Sequence, residues 1–234
     1  MFSDFFVVSA VTDKGDTAVN QRRAISLFLV DKALPGVTVG KDQAMMGLRG
    51  TSHVELFFDN VPLTPLHLLG EEGRGLQLIY TTLGRVRLAQ VGARAVGKAC
   101  HVLSKMVDYA NDRQQFGQPI GNFQLIQQML ADSTIEINAA RWLVLSAAHE
   151  LDGGGDGRTS IAMVKVYAAE MLGRVVDRAV QLFGGMGFCK ELPIERYYRD
   201  ARVYRIFDGT SEIHRTVIAR NVLQQGAELY DIGA

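Results

Sequence analysis

The sequence predicts an α+β fold that is mainly α, with a partial antiparallel β domain followed by an antiparallel helix bundle. Two observations lead to this class. Short apolar runs rich in Val, Phe and Ile occur over residues 1–62, a pattern typical of strands. From about Glu71 the apolar residues recur every three or four positions, which indicates amphipathic helices. We therefore expect a partial β domain over residues 1–66 and a helical bundle domain over residues 67–234.

Four short antiparallel strands are expected in the first domain. Two apolar runs, Phe5–Val11 and Ala24–Val30, are separated by a polar loop in which Asp13-Lys14-Gly15-Asp16 supplies the turn. A third strand is predicted at Val37–Val39 and a fourth at His53–Phe58. Four such strands are too few to close a barrel by themselves.

Three long helices and two shorter ones are expected in the second domain. The segment Glu71–Gly75 leads into the first long helix, which is predicted to run to about Asn111 before Gly117-Gln118-Pro119 breaks the pattern. The other helices are predicted over Phe123–Leu151, Thr159–Phe183, Glu191–Ala201 and Thr210–Gln224. The third long helix carries one apolar stripe, made of Ile161, Ala168, Leu172, Val175, Ala179 and Leu182. Long amphipathic helices with short connections favour an antiparallel bundle.

The composition excludes several functional classes. The chain is 47% apolar and 21% charged, which is typical of a globular protein with a substantial core. Its 25 basic and 25 acidic residues balance, so no excess of positive charge points to nucleic acid or an anionic membrane as the main partner. No segment offers the roughly 18 apolar residues that a membrane span needs. The two cysteines, Cys100 and Cys189, indicate no disulfide framework and favour a reducing compartment.

Arg113 ends the first long helix and begins the segment Arg113-Gln114-Gln115-Phe116-Gly117. Its planar guanidinium has the geometry to bind a diphosphate. A cation near a helix C-terminus also complements the helix macrodipole, with no ligand involved. The spacing alone leaves both interpretations open.

A glutamine and a glycine-rich segment, Gln181 and Gly184-Gly185-Met186-Gly187, end the helix predicted over Thr159–Phe183. Because the segment follows a helix rather than a strand, it is not a dinucleotide-binding fingerprint. One of the glycines is expected to form the helix C-cap. The others would let a ligand approach the backbone closely.

Asp208 lies at a glycine-containing break between the last two predicted helices. A carboxylate at such a break can be aimed into a cavity and act as a base. The pair Asp208-Gly209 is equally a common turn dipeptide, and Asp208 or Thr210 can cap the last helix. Glu212, in the first turn of that helix, suits its dipole. The five histidines show no metal-ligand spacing with cysteines or carboxylates, so no metal site is expected.

Taken together, six segments in order resemble the C-terminal portion of a flavin-dependent acyl-CoA dehydrogenase. The resemblance covers nearly the whole chain. The six segments are Leu69–Gly75, Arg113–Gly117, Asn122–Leu125, Gln181–Gly187, Glu195–Asp200 and Asp208–Ile213.

The resemblance implies FAD-dependent conversion of an acyl-CoA thioester to a trans-2-enoyl-CoA. In that family a carboxylate removes the substrate α-proton while the β-hydrogen leaves as hydride to N5 of FAD. The usual base is the Glu before Gly-Thr, and the matching residue here is Asp208, whose reach is shorter by one C–C bond, about 1.5 Å. Some members carry the base on the first long helix instead, but the matching segment Gly84–Leu88 offers arginines and no carboxylate.

Contacts to the cofactor are implied by the same resemblance. Arg113 is implied to contact the FAD pyrophosphate, with Gln115 and Phe116 beside it and Gln124 nearby. Those implied at the adenosine half are Gln181, Gly184 and Gly185. Thr210 and Glu212 would complete the cofactor site.

Substrate and protein partners are implied as well. Arg85 would contact the CoA side of the substrate, with Arg87 as the alternative because the alignment is ambiguous by one residue, and Gly209 would contact the substrate beside the base. An electron-transferring flavoprotein or a similar acceptor would reoxidise the flavin. Several cofactor contacts cross a subunit interface in the family, so a homotetramer or homodimer is implied. The expected compartment is the cytoplasm, or an organelle matrix in a eukaryote.

The family's N-terminal helical domain and the first half of its β domain have no counterpart in this sequence. We therefore expect a fragment, a truncated product, or a chain completed by another one. Two alternatives to acyl-CoA dehydrogenation stay open. One is a related flavoenzyme with an Asp base, such as a nitroalkane oxidase or a dehydrogenase of cyclic acyl-CoAs. The other is a non-catalytic, oligomerising helical fragment.

Overall fold

The computed structural model describes residues 3–13 and 24–226, and it divides into two compact units, residues 1–83 and 84–234. The predicted turn at residues 14–16 lies outside the described residues. The predicted α+β class, mainly α with small antiparallel sheets, is confirmed. The domain boundary expected after residue 66 stays a prediction.

All four predicted strands form in the first unit, and they pair as antiparallel hairpins. Strand β1 (Phe5–Asp13) pairs with β2 (Ala24–Asp31), which also pairs with the short strand β5 (Leu68–Leu69). Strand β3 (Val37–Asp42) pairs with β4 (Val54–Phe58) in a separate sheet. The strands form because their β-branched and aromatic residues suit a pleated, half-buried surface.

Helix α1 spans Gly75–Arg87, in line with the expectation that the segment Glu71–Gly75 leads into a helix. Gly73 has a left-handed backbone (φ +77°), and its N–H donates to the Ser26 hydroxyl at 2.8 Å. A residue held in that conformation cannot continue a right-handed helix, so the helix begins after it.

Apart from three-residue 3₁₀ turns, five further α-helices and one short helical turn follow among the described residues. They are α2 (Arg94–Asp112), α3 (Gln124–Asp152), α4 (Arg158–Phe183), α5 (Gly185–Phe188), α6 (Ile194–Arg202) and α7 (Ser211–Gln225). Helix α6 begins after Pro193 rather than at Glu191, because proline fixes φ at a value that suits the first turn of a helix. The two-stranded hairpin of β6 (Gln114–Gln115) and β7 (Gln118–Pro119) connects α2 towards α3.

Helix α4 forms the centre of the second unit. Helices α2, α3, α6 and α7 all pack against it. Every residue of its predicted apolar stripe is buried, which confirms that part of the sequence analysis. The same face also buries Lys165, which the stripe omitted.

A bidentate ion pair joins α3 to α4 in addition to the apolar contacts. The guanidinium of Arg178 donates to both oxygens of Glu136 at 3.0 Å, and Arg174 donates to the same carboxylate at 2.9 Å. Burial alone would raise the pKa of Glu136, but the hydrogen bonds from Arg178 and Arg174 reverse that effect and lower it. The pair therefore stays charged and fixes the register of the two helices.

A π-helical segment, Leu88–Ala93, separates α1 from α2. Its wider backbone is shown by the Arg94 N–H, which donates to the carbonyl of Ala89 five residues earlier. Gly92 lies so close to α4 that an added Cβ would stand 2.5 Å from a methyl carbon of Val164 and 3.1 Å from one of Val144. The segment thus lets the chain lie directly on α4. The chain is helical from Gly75 to Asp112, as predicted up to about Asn111, but the π-helical turn within this stretch was not foreseen.

Two glycines of this helical stretch should respond to alanine in opposite ways. Gly92→Ala places a methyl group inside a packed contact, so we expect a loss of about 1–3 kcal/mol in unfolding free energy. Gly97→Ala meets nothing within 4 Å on an exposed helix surface, so it should gain roughly 0.5–1 kcal/mol. Urea unfolding of both variants measures the difference. Equal effects would contradict the close approach of Gly92 to α4.

Candidate active site

The loop before α7 presents Asp208 in an unusual backbone conformation. Asp208 and Gly209 are both left-handed, with φ of +55° and +88°. Such φ values are uncommon for residues other than glycine, and aspartate is among the side chains that tolerate them best. Helix α7 is capped by Thr210, whose hydroxyl accepts a hydrogen bond from the Ile213 N–H at 3.3 Å. Of the two cap candidates in the sequence, the structure therefore has Thr210, and the Asp208 carboxylate is not engaged as a cap.

Two side chains from different helices hold the backbone carbonyl of Asp208. Arg87, the last residue of α1, donates from Nε at 2.7 Å. His214, on α7, lies with Nε2 at 3.1 Å from the same oxygen. Gly209 packs beside this contact, because an added Cβ would stand 3.0 Å from His214 Nε2. The half-buried Asp208 carboxylate itself makes no hydrogen bond or ion pair with any described residue.

Lys165 lies fully buried on α4 within electrostatic range of this loop. Its ammonium has no hydrogen-bond partner among the described residues. Burial lowers the pKa of Lys165 to about 8, and the nearby carboxylates of Asp208, Glu212 and Glu170 limit the fall. The result is an unpaired cation beneath the turn that carries Asp208.

Two other titratable groups on α7 surround the turn. Burial lowers the pKa of His214, which favours its neutral form. Glu212 is exposed in the first turn of α7, and the backbone N–H groups at that helix end, followed by the Thr210 hydroxyl, lower its pKa. Glu212 is therefore anionic and His214 neutral near pH 7.

A second group of predicted residues surrounds a tight hairpin after α2. Phe116 and Gly117 occupy the turn between β6 and β7 with φ of +53° and +82°, which is the pattern of a type I′ hairpin turn. The Phe116 side chain is 93% exposed and meets the ring of Phe123 edge-on at 6.0 Å between centroids. Arg113 and Gln115, on either side, are exposed too, as is Gln124 at the start of α3. The hairpin thus presents a cation, amides and an aromatic ring to solvent.

The end of α4 presents the other predicted cofactor residues. Gly184 is left-handed (φ +60°), and its N–H donates to the carbonyls of Val180 and Gln181, so it terminates the helix as expected for one glycine. Gly187 is packed, since an added Cβ would stand 2.6 Å from the carbonyl oxygen of Val180. Around Gly184 and Gly185 an added Cβ would meet nothing within 4 Å. An open backbone surface remains there, beside the exposed Gln181.

The predicted residues therefore fall into two groups at opposite ends of α4. Tyr109 of α2 stacks on Phe183 at 4.2 Å between ring centroids, which brings the Arg113 hairpin and the glycine end of α4 together. Lys165, near Asp208, lies 18 residues before Phe183 on the same helix, roughly 27 Å away at 1.5 Å per residue. We call the first set the hairpin group, which comprises Arg113, Gln115, Phe116, Gln124, Gln181, Gly184 and Gly185. We call the second set the Asp208 group, which comprises Asp208, Gly209, Thr210 and Glu212 with the nearby Lys165.

The candidates for the CoA contact differ in their surroundings. Arg85 is exposed, and its guanidinium makes no hydrogen bond or ion pair within the described part of the chain. Arg87 is half buried and donates to Asp208. Lys165 and His214 were missed by the sequence analysis. The available signal was a lysine four residues after Ile161 on an apolar stripe.

Within residues 3–13 and 24–226, no group of three His, Cys, Asp or Glu side chains has the arrangement to hold a metal ion. None of the described helices is long and apolar enough to cross a membrane. Both cysteines are free thiols.

Comparison with known proteins assigns both parts of the chain. Residues 1–61 match the family model "Acyl-CoA dehydrogenase, middle domain" and residues 73–223 match "Acyl-CoA dehydrogenase, C-terminal domain". Cyclohexane-1-carbonyl-CoA dehydrogenase of Geobacter metallireducens is 38% identical over 94% of this chain and 58% of its own length. The chain thus spans little more than half of that relative.

Solved structures agree with these matches. Butyryl-CoA dehydrogenase from Megasphaera elsdenii superimposes with a TM-score of 0.86 at 36% identity, over 94% of this chain and 56% of that one. A structure described as PigA with FAD and proline superimposes with a TM-score of 0.89 at 28% identity, over 96% of this chain and 57% of that one.

The buried ammonium of Lys165 should make stability depend on pH. Below pH 8 both the folded and the unfolded chain bind this proton, so the desolvation penalty is fully present. Between about pH 8 and the ordinary value of 10.5 the folded chain releases the proton first, so the free energy of unfolding rises. Lys165→Met should remove that rise and be more stable than the parent at pH 7, because the unpaired buried charge is gone.

Urea unfolding at several pH values between 7 and 10 measures this effect. The matched control is Lys190→Met, which removes an exposed ammonium and should leave the rise intact. A rise that persists unchanged in Lys165→Met would show that another group causes it.

Proposed function

This chain belongs to the acyl-CoA dehydrogenase family, and on that premise we propose that it takes part in the FAD-dependent α,β-dehydrogenation of an acyl-CoA thioester to a trans-2-enoyl-CoA. Asp208 is the base that removes the α-proton. The observation that carries this assignment is the Asp208 carboxylate, which lies on a left-handed turn and is free of the capping role that Thr210 fulfils.

The chemistry needs an anionic base next to a thioester in a site from which water is excluded. Lys165 lies within electrostatic range of Asp208, so a cation faces the carboxylate. A bound thioester would displace water from the half-buried Asp208 and so strengthen the electrostatic interactions at the base. Bound FAD supplies the hydride acceptor.

The exposed groups of the chain fit the parts of FAD. A guanidinium suits the pyrophosphate, and the open backbone at Gly184 and Gly185 admits a flat ring system that side chains would block. We assign Arg113, Gln115, Phe116 and Gln124 to the pyrophosphate region. We assign Gln181, Gly184 and Gly185 to the adenosine half. Thr210 and Glu212 belong to the reacting end of the cofactor.

One cofactor on one chain would have to reach both ends of α4 to meet all these residues. The hairpin group and the Asp208 group are separated by roughly 27 Å along the helix. We infer that each site combines the Asp208 group of one subunit with the hairpin group of another. A closed homodimer, or a homotetramer built from two such dimers, follows from this arrangement.

On the substrate side, Arg85 remains the residue proposed to meet the CoA moiety, since its guanidinium is exposed, whereas Arg87 is engaged with Asp208. Gly209 lies directly beside the base and is proposed to contact the acyl group. An electron-transferring flavoprotein or a similar acceptor is the proposed oxidant of the flavin. The proposed compartment is the cytoplasm or an organelle matrix.

A second candidate is the dehydrogenation of a ring-bearing acyl-CoA. Two observations favour it: the base is the shorter Asp, and the dehydrogenase of cyclohexane-1-carbonyl-CoA is among the relatives. A ring fills more width at the α-carbon than a straight chain does. A shorter base leaves room for that width.

Substitution of Asp208 tests the proposed base directly. Asp208→Asn should keep bound flavin but slow α-proton removal by at least about 10²–10⁴-fold, because the amide cannot accept the proton. The measurement adds FAD to the purified chain, removes excess by gel filtration, and follows bleaching of the flavin band by acyl-CoA without oxygen. Unchanged bleaching in Asp208→Asn would disprove the assigned base.

Asp208→Glu separates the two substrate classes. Against straight-chain acyl-CoA it should bleach the flavin as fast as the parent or faster, and against cyclohexane-1-carbonyl-CoA it should be slower. The opposite order would exclude the ring-bearing substrate. If the parent chain retained no flavin after gel filtration, the result would favour the alternative of a non-catalytic helical fragment.

The shared site predicts complementation between two inactive variants. Asp208→Asn and Arg113→Glu should each be inactive alone, by loss of the base and of the cofactor contact. Mixed dimers would rebuild one of their two sites, so a statistical mixture should recover about a quarter of the parent activity. The control mixes Asp208→Asn with Asp208→Ala, which share one group and should recover nothing. No recovery in the first mixture would place both groups in one subunit's site.

A further inference from the structure

We propose that His214 and Arg87 are positioning residues that hold the Asp208 carbonyl from two sides and thereby set the direction of its carboxylate. This inference rests on the function proposed above for Asp208. It assigns to His214 a role that neither the sequence motifs nor the comparisons suggested.

The turn at Asp208 lies between two regular hydrogen-bond ladders. The N–H groups of Ile206 and Phe207 both donate to the carbonyl of Val203, and the helical pattern resumes where His214 N–H donates to the carbonyl of Thr210. Between these points, among the described residues, the contacts that fix the main chain are the two side-chain donors on the Asp208 carbonyl. These donors therefore determine how the turn is oriented.

The backbone direction decides where the base points because aspartate has only two side-chain torsions. A left-handed conformation is unfavourable for a residue other than glycine and persists only where its surroundings hold it. Here the donors come from α1 and α7, two elements far apart in the chain. Gly209 is pressed against His214, which closes the turn from a third side.

The contact also fixes the proton on the His214 ring. A carbonyl only accepts, so Nε2 must carry the hydrogen, and in the neutral ring Nδ1 then carries none. Nδ1 is buried and has no partner among the described residues. Burial lowers the pKa of His214 more than the hydrogen bond to the Asp208 carbonyl raises it, and the positive charges of Arg87 and Lys165 lower it further, against the weaker effect of the Asp208 carboxylate. The neutral Nε2–H ring is the form that these contacts support.

Nuclear magnetic resonance of the ¹⁵N-labelled chain tests the proton position without any turnover. We expect the His214 ring to show the Nε2–H tautomer near neutral pH. The opposite tautomer would overturn the proposed donation. This measurement stands whether or not the chain turns over substrate.

Two substitutions then test the positioning role. His214→Gln keeps an N–H donor at that position, so the rate of flavin bleaching by acyl-CoA should stay within about threefold of the parent. His214→Leu keeps the buried volume but loses the donor, so the rate should fall by about 10–100-fold, as expected for a base displaced by about 1 Å. The isotope effect of substrate deuterated at Cα should rise with that fall, while KM should change little.

A stability control distinguishes positioning from folding. Met106→Ala opens a cavity in α2, away from the Asp208 turn, and should lower stability while leaving the Cα isotope effect at the parent value. Equal isotope effects in His214→Leu and the parent would overturn the positioning role. If Asp208→Asn also kept its activity, the proposed base would fail. If Asp208→Asn lost activity while His214→Leu behaved like the parent, only the role of His214 would be refuted.

Discussion

The burial of helix α4 is the constraint on which the helical unit depends. Because α2, α3, α6 and α7 all pack on this one helix, its position is fixed from several sides at once. Cores packed at crystal-like density do not deform continuously, so loops attached at the ends of α4 inherit fixed positions. The Asp208 group lies near its first turns and the hairpin group at its last. The rigid helix therefore sets the distance between the two halves of the proposed site.

The same constraint explains the unusual charge distribution. A lysine on a helix that is buried along most of its length has no route to solvent unless its side chain can reach past the neighbouring helices. Lys165 does not reach it, and its ammonium stays among Asp208, Glu170 and Glu212. A buried unpaired charge opposes folding, so its presence next to the candidate base is better explained by function than by stability.

Much of the fold could be predicted because it follows from local periodicity. The apolar stripe from Ile161 to Leu182 and the four strands were predicted correctly, since burial selects apolar residues at a fixed spacing. Two features outside the predictions depend on distant contacts. The left-handed Gly73 donates its N–H to Ser26, 47 residues away, and the π segment depends on Gly92 meeting Val164. No local pattern contains that information. The ring of His214 against the Asp208 carbonyl belongs to the same class.

Backbone strain links the two halves of the proposed site. Among the described residues other than glycine, only Leu48, Asn60, Phe116 and Asp208 have positive φ. Two of them fall in the hairpin group and the Asp208 group. Asparagine and aspartate tolerate this conformation through local hydrogen bonds. At Phe116 the type I′ hairpin turn with Gly117 requires it, and the turn leaves the Phe116 ring exposed beside Phe123.

Because the proposed base is the short aspartate, the main chain sets the direction of its carboxylate. A glutamate can correct a small error in backbone position with its extra torsion, but the carboxylate carbon of an aspartate is bonded directly to Cβ. Asp208 must therefore be aimed by the main chain, and its carbonyl is where Arg87 and His214 act. The attraction of Lys165 for the carboxylate also grows as water leaves the site, because the local dielectric falls. A base drawn towards a buried cation keeps its direction towards substrate only if the turn that carries it cannot rotate.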